Sequence, residues 1–352
     1  MKVICIIWLI VCSAVPAWAG HVAVPPQVEQ VWEQGERYGI EPESTLEQGL
    51  SQLLEQVEEQ GSSLFQNGLL VGVRLLCVVL LCGLAEGASV GRSALTVTKL
   101  AGALAVTVLS VSSVDAMIGL GRETIGRIHD FSQVLLPAMA VLTAATGHVT
   151  GAAMRQGATV LFAQLLMQAI DRLLIPLVYA YVACCCAHAA VGNDGLKKLG
   201  GMLKGAITAI LTGILLVFVA YLTVSGTIVG SADAAAVKAA KVAISRAVPV
   251  VGGILSDAAE TVLVGAGVLR GSIGVMGLLV VLTICVGPFL QLAVHYLTYK
   301  LTAALTGTVA EPRLSGLLDS IGGAFGLVLG MTGACAVLLL ISIVATVSAV
   351  TA

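Results

Sequence analysis

From residue 69 to its C-terminus the chain is a succession of apolar runs separated by short breaks, and several runs reach 18 residues or more. A helix needs about 20 apolar residues to cross the roughly 30 Å of bilayer hydrocarbon. The expectation is therefore an all-α, polytopic helical membrane protein. Composition agrees, since only 11% of the 352 residues are charged, against about 25% in soluble domains. The chain lacks the charge to cover a surface facing water. Its 40 glycines, with many Ala, Ser and Thr, point to closely packed helices, because small side chains let backbones approach where lipid supplies no hydrophobic drive between helices. Trp8, Trp18 and Trp32 all precede the first internal run, so aromatic anchors say little about depth.

The N-terminal part has another character. Lys2 is followed by the apolar stretch 3–15 and by Pro16-Ala17-Trp18-Ala19 before Gly20. That order of charge, apolar centre and small-x-small site is a signal peptide over residues 1–19, cleaved after Ala19; an uncleaved first helix is the alternative. Either way, the segment after Gly20 lies outside the cytoplasm. Residues 20–67 form an acidic extracytoplasmic region with nine glutamates, Glu29, Glu33, Glu36, Glu41, Glu43, Glu47, Glu55, Glu58 and Glu59, against Arg37. Within it Leu46, Leu50, Leu53, Leu54, Val57, Leu64 and Phe65 are spaced as on an amphipathic helix, with Ser44 or Thr45 as cap and Gly49 and Gly61 as weak points. This helix either binds a partner or lies on the bilayer or the bundle, and its glutamates argue against attraction to anionic lipid. Nothing resembles a nucleic-acid-binding patch.

The apolar runs fall at 69–86, 95–118, 134–150, 160–190, 203–229, 248–269, 273–300 and 321–350. About 7–8 transmembrane segments are expected, because 248–269 contains Asp257 and Glu260. The run 160–190 is too long for one straight crossing and contains Asp171, Arg172 and Pro176, so it is tilted, kinked, or begins partly immersed. If every run crosses, Arg92, Lys99, Arg155, Lys238, Lys241, Arg246, Lys300 and Arg313 lie inside, and Arg122, Arg127, Lys197, Lys198 and Arg270 outside. That is a shallow bias in the expected direction.

Pro137 and Pro176 are 39 residues apart, as are Pro249 and Pro288, and the two pairs are offset by 112 residues. With similar breaks after each second proline, this predicts an internal repeat of about 112 residues, with units 130–229 and 241–350 following a first helical pair at 68–129. Three crossings per unit would invert the second unit, as in many transporters; a re-entrant segment in each would leave the units parallel. Chance recurrence of Pro and Gly is the competing explanation.

Polar residues inside the runs are the places to look for function. Asp171-Arg172 is either a neutralised pair at the interface or part of an internal polar path. Asp257 and Glu260 share a helix face, which suits a cation or a proton relay, or equally a partner surface. Lys300 and His295 are expected to snorkel to the interface, as is Arg74. Consecutive Cys184, Cys185 and Cys186 point in different directions and make a poor metal site, even with His188 nearby. No Walker loop, H-E-x-x-H, dinucleotide fingerprint or nucleophile triad is present. No enzyme activity, cofactor or metal is expected.

The stretch from Val248-Pro249-Val250 through Ser256-Asp257-Ala258-Ala259-Glu260 to Leu263, continued by 271–279, and Tyr299-Lys300-Leu301-Thr302-Ala303-Ala304 with Glu311-Pro312-Arg313, resembles the stage III sporulation protein AE family of endospore-forming Firmicutes. Asp171 to Pro176 and Leu196 to Leu199 agree more loosely, and 308–313 departs from the family's usual late loop. The resemblance implies a multi-pass subunit of the stage III A channel or export complex in the mother-cell membrane around the forespore. Its partners would be an ATPase-like subunit, ring-forming subunits and, indirectly, a forespore-side protein. It implies no catalytic residue. A structural scaffold of the same complex and an autonomous secondary transporter are the alternatives.

Overall fold

The computed structural model describes residues 26–41, 45–88, 92–145, 149–224, 272–308 and 312–351. These form eight α-helices and one π turn, and six of the helical segments are long and apolar enough to cross a membrane. The signal peptide, the run 248–269, Pro249, Asp257 and Glu260 lie outside the described residues.

Helix α1 (Pro26–Arg37) opens on a proline, tolerated where the N–H has no partner to lose, and turns Val28, Val31 and Gly35 inward and Glu29, Glu33 and Glu36 outward. Thr45 then caps α2 (Leu46–Ala88). Gln48 N–H donates to Thr45 Oγ1 at 3.3 Å while Thr45 N–H donates to Gln48 Oε1 at 3.1 Å, the reciprocal bonding of a capping box. At 43 residues, α2 is about 65 Å long, twice the hydrocarbon thickness. The acidic amphipathic region and the first membrane run are thus one rod, and the division expected at residue 67 falls inside it.

Helix α3 (Arg92–Ala145) corrects the count of spans. The runs 95–118 and 134–150 were expected to be separate crossings, but residues 95–118 and 134–145 belong to a single helix of 54 residues that continues through Pro137. The polar stretch between them does not break it, because Arg, Glu, Thr and Ile are all compatible with helix and Glu123 pairs with Arg127 one turn on, at 2.6 Å. The long run 160–190 comprises α4 (Val149–Ala169), a π turn (Ile170–Leu174) and α5 (Ile175–Val191). Pro176 has no N–H for the carbonyl one turn back, and the chain widens just before it, with Ile175 N–H bonded to the Ile170 carbonyl. Gly192, at φ 75°, ends α5 in the left-handed conformation. The chain returns as α6 (Asp194–Val224), and α7 (Ser272–Thr306) and α8 (Pro312–Thr351) form the last hairpin.

Contacts sort the helix ends into two sets. At one, the turn end, Lys99 pairs with Glu86 at 3.1 Å, Gly102 faces Cys82 and Leu314, and Arg313 lies over Gly192. At the other, the cap end, Gly35 meets Met276, Gly49 meets Leu279, Gly277 meets Leu135 and Ile343, and Phe162 packs on Phe218 with ring centroids 5.3 Å apart. Arg92, Lys99, Lys197, Lys198 and Arg313 therefore gather at the turn end, whereas the unmerged reading had put Lys197 and Lys198 opposite. The α5–α6 and α7–α8 hairpins run in the same sense. Pro176 and Pro288 both lie on the limb descending from cap to turn end, which for these hairpins is the parallel arrangement.

Helix α8 is the most enclosed span. Two cores lie along it. The turn-end core takes Leu75, Val114, Val178, Ile207, Tyr299 and Phe325; the cap-end core takes Val28, Leu53, Phe131, Leu135, Leu279 and Ile343. Against α7, α2 presents Gly49, Gly61, Gly68 and Gly72, opposite Leu279, Leu290, Val294 and Thr298. Gly49 and Gly61, weak points by helix propensity, are contact points by packing. A side chain at Gly68 would come within 2.9 Å of Thr298 Oγ1, whereas one at Gly83 would meet nothing within 4 Å. Gly68→Leu should lower the thermal unfolding temperature of the detergent-purified protein, the cost of overpacking being about 1–3 kcal/mol, and Gly83→Leu should leave it unchanged.

Candidate functional site

Among the described residues, polar side chains on the flanks of the bundle form two sites that α5 touches, with Asp115, Arg122 and Asp319 exposed. The first is a ladder between α3 and the α4–α5 limb. Arg122 Nε donates to Asp171 Oδ1 at 3.0 Å, and two turns away Tyr179 Oη donates to Asp115 Oδ1 at 2.9 Å. The spacing is geometric: Asp115 and Arg122 are seven residues apart and share a face of α3, and Asp171 and Tyr179 are eight apart on the opposing limb. The π turn carries Asp171. Asp171 is therefore neutralised by α3, not by its neighbour Arg172, which is exposed.

The second site lies where α5, α6 and α7 meet α8. Lys300 Nζ donates to Asp319 Oδ1 at 2.6 Å and stands 6.0 Å from the centre of the Tyr296 ring. Lys300 was expected to snorkel; it reaches across to α8 instead. Tyr181 Oη donates to the Ser320 carbonyl at 3.1 Å. The pair Gly322-Gly323 makes the junction possible. A side chain at Gly322 would sit 3.2 Å from Tyr299 Cβ, and one at Gly323 would sit 3.2 Å from Tyr181 Oη and 3.5 Å from Lys204 Nζ. Lys204 lies in the field of both Lys300 and Asp319. Its ammonium closes no ion pair or hydrogen bond among the described residues.

Of the polar residues singled out in the sequence, Asp171 and Lys300 acquire partners, one in each site, while Arg172 joins neither. Pro176 sits just after the π turn, and Pro137 and Pro288 lie within α3 and α7. Asp115, Tyr179, Tyr181, Lys204 and Asp319 escaped sequence reasoning. The available signal was the charge itself: Asp115 and Lys204 stand at the edges of apolar runs, where a lone charge reads as a loop boundary. Among the described residues no three His, Cys, Asp or Glu side chains are grouped to hold a metal ion, and Cys184, Cys185 and Cys186 are free thiols.

Both sites hold charge in a bundle that lipid surrounds, where a carboxylate at the centre of a span costs about 3 kcal/mol by insertion scales. Pairing removes much of that cost and ties one helical segment to another. Each site can therefore set helix register.

Comparison with known proteins places this arrangement. Residues 28–350 match the family model described as stage III sporulation protein AE. A curated relative, the stage III sporulation protein AE of Bacillus subtilis (strain 168), is 22% identical over 282 residues, covering 80% of this chain and 69% of the relative. No solved structure matches.

Replacing Lys300 by Met strands the Asp319 carboxylate, and replacing Asp319 by Leu strands the ammonium. The double variant should be more stable than the two single losses add up to, with a coupling of about 0.5–3 kcal/mol in a double-mutant cycle of detergent unfolding. A sum within error would remove the pair as a register-setting contact.

Proposed function

The chain belongs to the stage III sporulation protein AE family, and on that premise we propose that it is an integral membrane subunit of a channel or export complex linking mother cell and forespore, needed for late forespore development. The observation that carries the reading is the family match across almost the whole bundle of membrane-crossing helices. The partners are the ATPase-like and ring-forming subunits of the stage III A complex and, through them, the forespore-side protein. The location is the mother-cell membrane around the forespore. No catalytic step is assigned to the chain.

Packing bears on how such a subunit would work. The centre is filled by α7 and α8, with Tyr299 against Phe325 at 5.0 Å between ring centres, edge to face. A passage is then best placed along the flank of this chain, between it and neighbouring subunits. The basic residues of the turn end support a cytoplasmic, mother-cell side for that end. The cap end, with the exposed glutamates of α1 and the first half of α2, then faces the space between the two membranes. There it stands ready for ring-forming partners.

In the native sporulating cell, deleting the chain should abolish late forespore gene expression, and an affinity-tagged copy should restore it and bring the other membrane subunits down with it. Single cysteines at Lys198 and at Glu33, in a chain with its own thiols replaced, should label from opposite sides of the membrane. Recovery of the tagged chain alone, with sporulation normal in its absence, would refute the assignment.

A further inference from the structure

Among the described residues the polar site at the turn end is unbalanced. Lys204 and Lys300 bring two positive charges and Asp319 one negative, and the carboxylate is already bonded to Lys300. The ammonium of Lys204, half-buried, is left among the described residues with neighbours but no counter-charge of its own. A single unmatched cation held within a bundle in lipid is costly unless an anion reaches it.

The surface around it is shaped for access from the side. Helices α6 and α7 flank α8. Between them α8 exposes Pro312, Gly316 and Asp319, which lie on one face of the helix. Gly316 has nothing within 4 Å of where a side chain would begin, and the Asp319 side chain is 56% exposed. Lys197, two turns from Lys204 on the same face of α6, is exposed at the rim with Lys198 beside it, and α7 turns Leu297 and Leu301 outward on one face beside Lys300. Lys204 lies about 10 Å further along α6 than Lys197. The groove therefore combines ammonium groups near the turn end with exposed apolar side chains.

We propose that this groove binds the phosphate of an anionic phospholipid from the leaflet at the turn end, with Lys204 meeting the phosphodiester. One phosphodiester charge balances the net single positive charge of Lys204, Lys300 and Asp319. Lys197 widens the positive field at the entrance, and the acyl chains run along the apolar sides of the groove. Basic pockets between membrane helices are suited to such headgroups.

The test uses the full chain, purified in detergent and delipidated, with phosphatidylglycerol, phosphatidylcholine and inorganic phosphate as probes and native mass spectrometry as the readout. Phosphatidylglycerol should be retained over phosphatidylcholine. Lys204→Met should weaken that preference about fivefold, the order expected for one lysine at an anionic headgroup. Lys204→Arg should keep it, and millimolar inorganic phosphate should not displace the lipid. Equal retention of the two lipids, an undiminished preference in Lys204→Met, or displacement by phosphate would overturn the proposal, the last by making the site one for a free anion. Should Lys204→Met fail to fold, the delipidated wild-type chain decides: its unfolding temperature should rise with phosphatidylglycerol and not with phosphatidylcholine or phosphate, and an equal rise with all three would reject the site.

Discussion

In a bilayer nothing pushes helices together on hydrophobic grounds, so shape has to hold the bundle. Here that shape is concentrated on α7 and α8. The glycines of α2 lie against Leu279, Leu290, Val294 and Thr298 of α7, and Gly322 of α8 lies against the start of the Tyr299 and Lys300 side chains. Each close approach substitutes dispersion contact for the missing hydrophobic drive. Among the described residues the remaining helices pack around this pair, and so the six candidate spans form two cores along one shaft.

Charge adds what shape alone lacks, which is register. Gly–side-chain seams tolerate a slip of one helical turn better than a bonded pair does. Arg122 with Asp171, and Lys300 with Asp319, each tie two helical segments together at one height. Tyr179 and Tyr181 are two residues apart on α5 and so point to different sides of the helix, one into each polar site. The π turn lies one turn before them. π turns are often found where a helix serves function, and this one sets the rotation with which α5 offers both tyrosines.

How much of this could be read from the sequence depends on what each signal measures. Apolar run length reports burial in lipid, and it identified the membrane character and the positions of the apolar segments. It could not report that 95–118 and 134–145 share one helix, because a polar stretch such as Arg122–Asp130 reads alike whether it leaves the membrane as a loop or continues as a helix with internal ion pairs. That one merger reversed the placement of Lys197 and Lys198 and made the basic residues converge at the turn end. Gly49 and Gly61 were misleading for a related reason: helix propensity is a property of an isolated chain, and tertiary contact overrode it. The ladder and the lysine site join residues up to 139 apart. No local pattern encodes them.

The parallel sense of the α5–α6 and α7–α8 hairpins bears on mechanism. An inverted pair would have brought two broken helices together near the midplane, the usual construction of a transporter site. Parallel hairpins instead put both turns, and their basic residues, at the same surface, and the shaft between them is packed with Tyr299, Phe325 and Leu292. Such a body is better built to be gripped than to be traversed. Among the described residues its cap end is acidic and its turn end basic, and its flanks expose apolar side chains. The proposed passage at its flank requires no opening of the central helices.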